Sequence, residues 1–140
     1  NLKLCLAHMG GSSEVTNSMD KKSKLDQIRK VDPDSWFEHI KSMMTKYPNL
    51  YTDVSYTLSD FADSKSEVLA KTIDFLNTAV DSADASKGKL GDRVLFGTDF
   101  FMTEQERRET ELYANTKTKL KDWWDIIGRQ NTQKYLMQPL

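Results

Sequence analysis

The chain has 140 residues, a formal net charge of −1, 38% hydrophobic and 29% charged residues, which suits one domain with a core and excludes two ordinary ones. A sequence pI near 6.2 leaves no global basic field to hold nucleic acid or an anionic membrane, and no apolar run approaches the ~20 residues that span a bilayer. Cys5 is the one cysteine, so no internal disulfide forms; that fits a reducing compartment, and a cytoplasmic location is the expectation.

Leu2-Lys3-Leu4-Cys5-Leu6-Ala7-His8 is a short apolar run that ends at Gly10-Gly11, the pattern of a strand near 2–8. Alternation places Leu4, Leu6 and His8 on one face and Cys5 and Ala7 on the other. With both faces apolar, the strand belongs in a parallel sheet covered by helices. The N-terminus lacks the basic region, apolar run and cleavage site of a signal peptide. A chain that opens on a strand with no lead-in reads as part of a longer polypeptide.

Residues 10–31 are rich in Ser, Lys and Asp, with only Val15, Met19, Leu25 and Ile28 as a weak apolar pattern. This segment is expected to be a long loop or insertion, with a lid over the site as the alternative. Asp32-Pro33 is a helix start. Trp36, Ile40, Met43 or Met44, and Tyr47 then recur at helical spacing, and Pro48 stops the helix. His39 on that helix is expected to be a partly exposed histidine rather than a ligand.

The next strand is expected over 49–55, with Leu50, Thr52 and Val54 on one face and Tyr51, Asp53 and Ser55 on the other. A carboxylate inside a buried strand is costly unless paired. Asp53 is read as a structural anchor for a neighbouring loop, with a site role as the alternative. Ser64-Lys65-Ser66-Glu67 has the form of a capping box, and Leu69, Ile73, Leu76 and Val80 continue it as an amphipathic helix. Gly88 and Gly91 return the chain to a third strand near 93–98, in Arg93-Val94-Leu95-Phe96-Gly97-Thr98-Asp99.

A second capping box, Thr103-Glu104-Gln105-Glu106, opens the helical stretch of Leu112, Tyr113, Leu120, Trp123 and Ile127. Gly128 is placed to end it in a left-handed cap, and Asn131 to cap a last short helix bearing Tyr135 and Leu136. The alternation of strands and helices predicts α/β architecture with right-handed βαβ units and a parallel sheet.

Three stretches, Leu6-Ala7-His8-Met9-Gly10-Gly11, Tyr47 through Ser55, and Arg93 through Asp99, together resemble the last three strands of the amidohydrolase superfamily. The resemblance is to its amidohydrolase-related branch, the aminocarboxymuconate semialdehyde decarboxylase type. Ile126-Ile127-Gly128 through Asn131 and Leu136 is similar to that branch's closing pattern. The resemblance implies a TIM (β/α)₈ barrel, incomplete in this chain, with a divalent metal, usually zinc, at the carboxyl ends of the strands. It implies His8 on the sixth strand as a metal ligand or water-activating base, and Asp99 on the eighth as a metal ligand that handles the proton of the attacking water. Such a cation lowers the pKa of its bound water to about 7.

On this reading His8 and Asp99 project inward together with Leu4, Leu6, Leu95 and Gly97. The function implied is a metal-dependent hydrolase of C–N or ester-type bonds in a small-molecule substrate, with the isolated chain inactive. A non-oxidative decarboxylase or lactonase on the same barrel, and a non-catalytic binding or structural domain, are the alternatives. Three strand–helix units cannot close a barrel. The strands of His8 and Asp99 are therefore expected to expose edges that the remaining N-terminal part of the barrel covers, or that draw the chain into homo-oligomers.

Overall fold

The computed structural model describes residues 2–17, 21–22, 29–30, 34–55, 67–97 and 109–137. Three of its strands form one parallel sheet: β1 (Leu4–Leu6), β4 (Leu50–Asp53) and β5 (Val94–Leu95), with β4 in the middle. Each lies inside an expected strand segment. Between them run α2 (Trp36–Lys46) and α3 (Glu67–Asn77), so strands adjacent in the sheet are joined in chain order by helical crossovers. This is a mixed helix and strand architecture of the α/β kind. Among the described residues no helix is long and apolar enough to cross a membrane.

Residues 10–31 differ from a plain loop. Ser12–Asn17 form α1, and Lys21–Lys22 (β2) pair antiparallel with Arg29–Lys30 (β3). Val15 is fully buried, and Glu14 Oε2 accepts the backbone N–H of Trp36 at 2.6 Å. The segment thus begins as a helix packed against the start of α2, because one apolar side chain and one carboxylate both find partners there.

In α2 the expected start at Asp32-Pro33 lies outside the described residues, and the cap is Ser35, whose Oγ accepts the N–H of Glu38 at 3.3 Å. The buried face is Phe37, Ile40 and Met44, while Trp36 and Tyr47 are half exposed. The stripe is rotated by about one residue from the expected one, drawn round by Phe37, whose ring packs 5.2 Å from that of Phe75. His39 is exposed on this helix, as expected. Arg93 closes the C-terminal end: its guanidinium donates to Met44 O at 2.6 Å, Tyr47 O at 2.8 Å and Leu50 O at 3.2 Å.

The capping boxes at Ser64 and Thr103 begin outside the described residues. In α3, Leu69 and Ile73 are partly buried and Leu76 fully, and Phe75 joins them in the core. α4 (Glu109–Leu120), a turn at Lys121, α5 (Asp122–Asp125), a wide helical turn over Ile126–Gln130 and α6 (Asn131–Met137) follow. Leu120, Trp123 and Ile127 are core residues.

Two expectations at this end are overturned. The helix runs through Gly128, which is not among the positive-φ residues, because Asn131 N–H bonds to Ile126 O and carries the helix onward. Asn131 is not a cap either. It is fully buried, with Nδ2 donating to Gly91 O and Val94 O, each at 2.7 Å.

Those bonds also correct the expectation of two open sheet edges. Leu95 O faces β4 and accepts from Val54 N, so Val94 and Phe96 present their polar groups to the other side. There Val94 O is held by Asn131, and Phe96 N–H donates to Ile127 O at 3.1 Å. The outer edge of β5 is covered by the chain's own C-terminal helices. The β1 strand, by contrast, is not buried on both faces: it is the other edge of the sheet, and Leu4 is 50% exposed.

Candidate functional site

Register decides which side chains meet. Cys5 pairs with Tyr51, Leu6 with Thr52, Thr52 with Val94 and Asp53 with Leu95. Neighbours in register share a face, so Cys5, Tyr51, Asp53 and Leu95 lie on one side, and Leu4, Leu6, Leu50, Thr52 and Val94 on the other. The expectation that Leu4 and Leu6 point the same way as Leu95 is therefore overturned: they share the face of Val94.

His8 nevertheless reaches the Asp53 face. It is not in the strand, which ends at Leu6. His8 (φ 62°, ψ 18°) and Met9 (φ 52°, ψ 27°) are in the left-handed region, and Gly10 and Gly11 continue at positive φ. This tight reversal breaks the period-two alternation. Left-handed backbone costs a non-glycine residue roughly 1–2 kcal/mol, and it is held here by His8 N–H donating to Asp53 Oδ1 at 3.0 Å and by the burial of Met9.

Asp53 anchors the whole corner. Its Oδ1 also accepts the backbone N–H of Ser55 at 3.0 Å and the Ser55 hydroxyl, while Oδ2 accepts from Cys5 Sγ at 3.8 Å. The loop-anchor expectation for Asp53 agrees with this geometry. The His8 ring, 40% exposed in its side chain, sits with Nδ1 3.0 Å from Ser55 Oγ and 3.2 Å from Ser55 O. Burial, and then the neighbouring Asp53 carboxylate, push the Cys5 thiol from 9.0 to about 11, so it stays protonated and is a poor nucleophile at neutral pH.

The third strand closes on the same place. A Cβ on Gly97 would stand 2.9 Å from Ser55 Cβ, so only glycine lets the end of β5 approach Ser55 this closely. Asp99 and Thr98, the residues beyond it, lie outside the described residues. Of the two residues expected to carry chemistry, then, His8 is at the carboxyl end of the sheet, and the described structure does not extend to Asp99. Ser55 had no role assigned from sequence; its position two residues beyond Asp53, on the polar face of one strand, was the available signal.

The arrangement offers an imidazole, a hydroxyl and a carboxylate in contact, which suits proton transfer. It does not by itself make a metal site. Among the described residues no three His, Cys, Asp or Glu side chains group to hold a cation. Asp53 Oδ1 is occupied by three donors, and Cys5 is held as the thiol. In comparisons with known proteins, no family model, no characterised protein and no solved structure matches the chain.

Proposed function

We propose that the chain supplies the His8 and Asp99 corner of a metal-dependent hydrolase of the amidohydrolase-related type, acting on a C–N or ester-type bond of a small molecule. One observation carries the reading: His8 stands at the carboxyl end of a parallel sheet whose strands adjoin in chain order, its ring against the end of the next strand. Neighbours of this kind build a singly wound (β/α)₈ barrel, and barrels of that class carry their reactive groups at this end. In this reading β1, β4 and β5 are the sixth to eighth strands. Strands from the remaining N-terminal part of the barrel lie along β1, and the chain alone is inactive.

His8 is the base that takes a proton from the attacking water, a role worth about 10²–10⁴ in rate. By the resemblance, Asp99 is a metal ligand that also handles the proton of the attacking water. A divalent metal, zinc by resemblance, would polarise the water. By the resemblance, His8 and Asp99 would be among the residues that hold the metal. Non-oxidative decarboxylation and lactone hydrolysis are variants on the same scaffold.

A second reading, a non-catalytic binding or structural domain, is favoured by the covered edge of β5. A first barrel strand could pair there only by displacing Ile127 and Asn131. One experiment separates the two: metal analysis of the intact protein, with assays on amide, ester and lactone panels and for carbon dioxide release. The hydrolase reading expects bound divalent metal that Asp99→Ala loses, together with turnover. Wild-type protein that holds no zinc or manganese even after reconstitution overturns it.

A further inference from the structure

We infer that Asp53 and Ser55 are positioning residues that fix the His8 imidazole in a single tautomer, with the proton on Nδ1 and the lone pair on Nε2. The use of that tautomer in chemistry rests on the hydrolase reading; its geometry does not.

The argument is an account of hydrogens. Nδ1 faces two oxygens of one residue, Ser55 O at 3.2 Å and Ser55 Oγ at 3.0 Å. A carbonyl oxygen only accepts. The hydroxyl carries one hydrogen, which it can direct to His8 Nδ1 or to Asp53 Oδ1, both within reach. An ionised carboxylate is the stronger acceptor. Directing the hydrogen to Nδ1 would also set Oγ against Oδ1, and Nδ1 against the carbonyl, with lone pair facing lone pair.

With the hydroxyl on Asp53, both oxygens beside Nδ1 are acceptors, and Nδ1 must be the donor. Donation then runs from His8 Nδ1–H to Ser55 Oγ, and from the Ser55 hydroxyl to Asp53 Oδ1. The same Oδ1 accepts the backbone N–H groups of His8 and Ser55, each at 3.0 Å. Ring and backbone of His8 are therefore referenced to one carboxylate oxygen on the central strand. In a neutral ring protonated at Nδ1, the lone pair is on Nε2.

The test is the nitrogen spectrum of the histidine rings. The chain has two histidines, and His39→Gln assigns them. In 15N-labelled, chelator-treated protein at about pH 8.5, where an ordinary imidazole is neutral, His8 is expected to show a protonated Nδ1 and an unprotonated Nε2. Exposed His39, whose ring meets Trp36 edge-on, serves as the reference ring. Ser55→Ala and Asp53→Asn, checked for folding by their amide spectra, are expected to move the His8 tautomer ratio toward that of His39 by roughly tenfold, the equilibrium worth of one net hydrogen bond.

An Nε2–H tautomer in the wild type overturns the inference, as do folded variants that both keep the wild-type ratio. If neither variant folds, the wild-type spectrum decides alone. A fixed Nδ1–H tautomer in a protein that binds no metal and turns nothing over upholds this inference while removing the hydrolase reading. An active metalloprotein with the Nε2–H tautomer does the reverse.

Discussion

Asn131 Nδ2 donates to Val94 O at 2.7 Å across 37 positions of sequence, and this bond joins the last helix to the last strand. The same amide nitrogen holds Gly91 O, which also accepts the Val94 N–H in the turn that enters β5, so one buried side chain ties that turn and the outer edge of β5 to the last helix.

Asn131→Leu is expected to leave both carbonyls without this donor. Gly91 O keeps the Val94 N–H, so Val94 O is the buried acceptor left unsatisfied, and the loss of stability should be about 1–3 kcal/mol. Urea denaturation of the two proteins measures it, and an unchanged midpoint would refute the anchoring role.

Arg93 gathers the carbonyls of Met44, Tyr47 and Leu50, which ties the end of α2 to the entry of β5. Lysine carries charge but not the planar fork. Arg93→Lys should therefore cost about 1–2 kcal/mol and Arg93→Ala more, in the same melts. Equal stability of Arg93→Lys and wild type would show that charge alone suffices.

Gly97→Ala places a methyl 2.9 Å from Ser55 Cβ. The expected outcome is a displaced Ser55, a stability loss of about 1–3 kcal/mol from overpacking, and a changed His8 ring signal. A silent substitution would mean that β5 yields at no cost.

The Cys5 thiol, raised from 9.0 to about 11 by burial first and by Asp53 second, should react with a disulfide reagent only slowly at pH 8. Asp53→Asn removes the smaller causes and should increase that rate. The sign of the linkage follows: the folded state holds this proton more tightly, so its stabilising contribution is complete below 9.0 and is lost as the pH rises through about 11. Thiol titration of folded protein with a midpoint near 9.0 would contradict the burial of Cys5 against Asp53.

Much of the fold was legible in the chain because its signals are local. Apolar runs bounded by Gly and Pro marked the three strands, and the spacing of Leu120, Trp123 and Ile127 marked one buried face. The same local reading assigned Gly128 and Asn131 to caps. It failed there because a residue that favours a terminus when alone was recruited by carbonyls 37 and 40 positions away, and no window of sequence contains both partners.

At the candidate site the division is the same. By itself the sequence determined that a histidine closes the first apolar run, that Asp53 lies on the polar face of the second strand, and that glycines at 10, 11 and 97 punctuate strand ends. Only the tertiary structure decided that His8 turns onto the Asp53 face, that Ser55 stands between ring and carboxylate, and that the chain's own helices cover β5. A left-handed backbone at a histidine is unfavourable in isolation. It persists because Asp53, 45 positions away, supplies the acceptor that the turn requires.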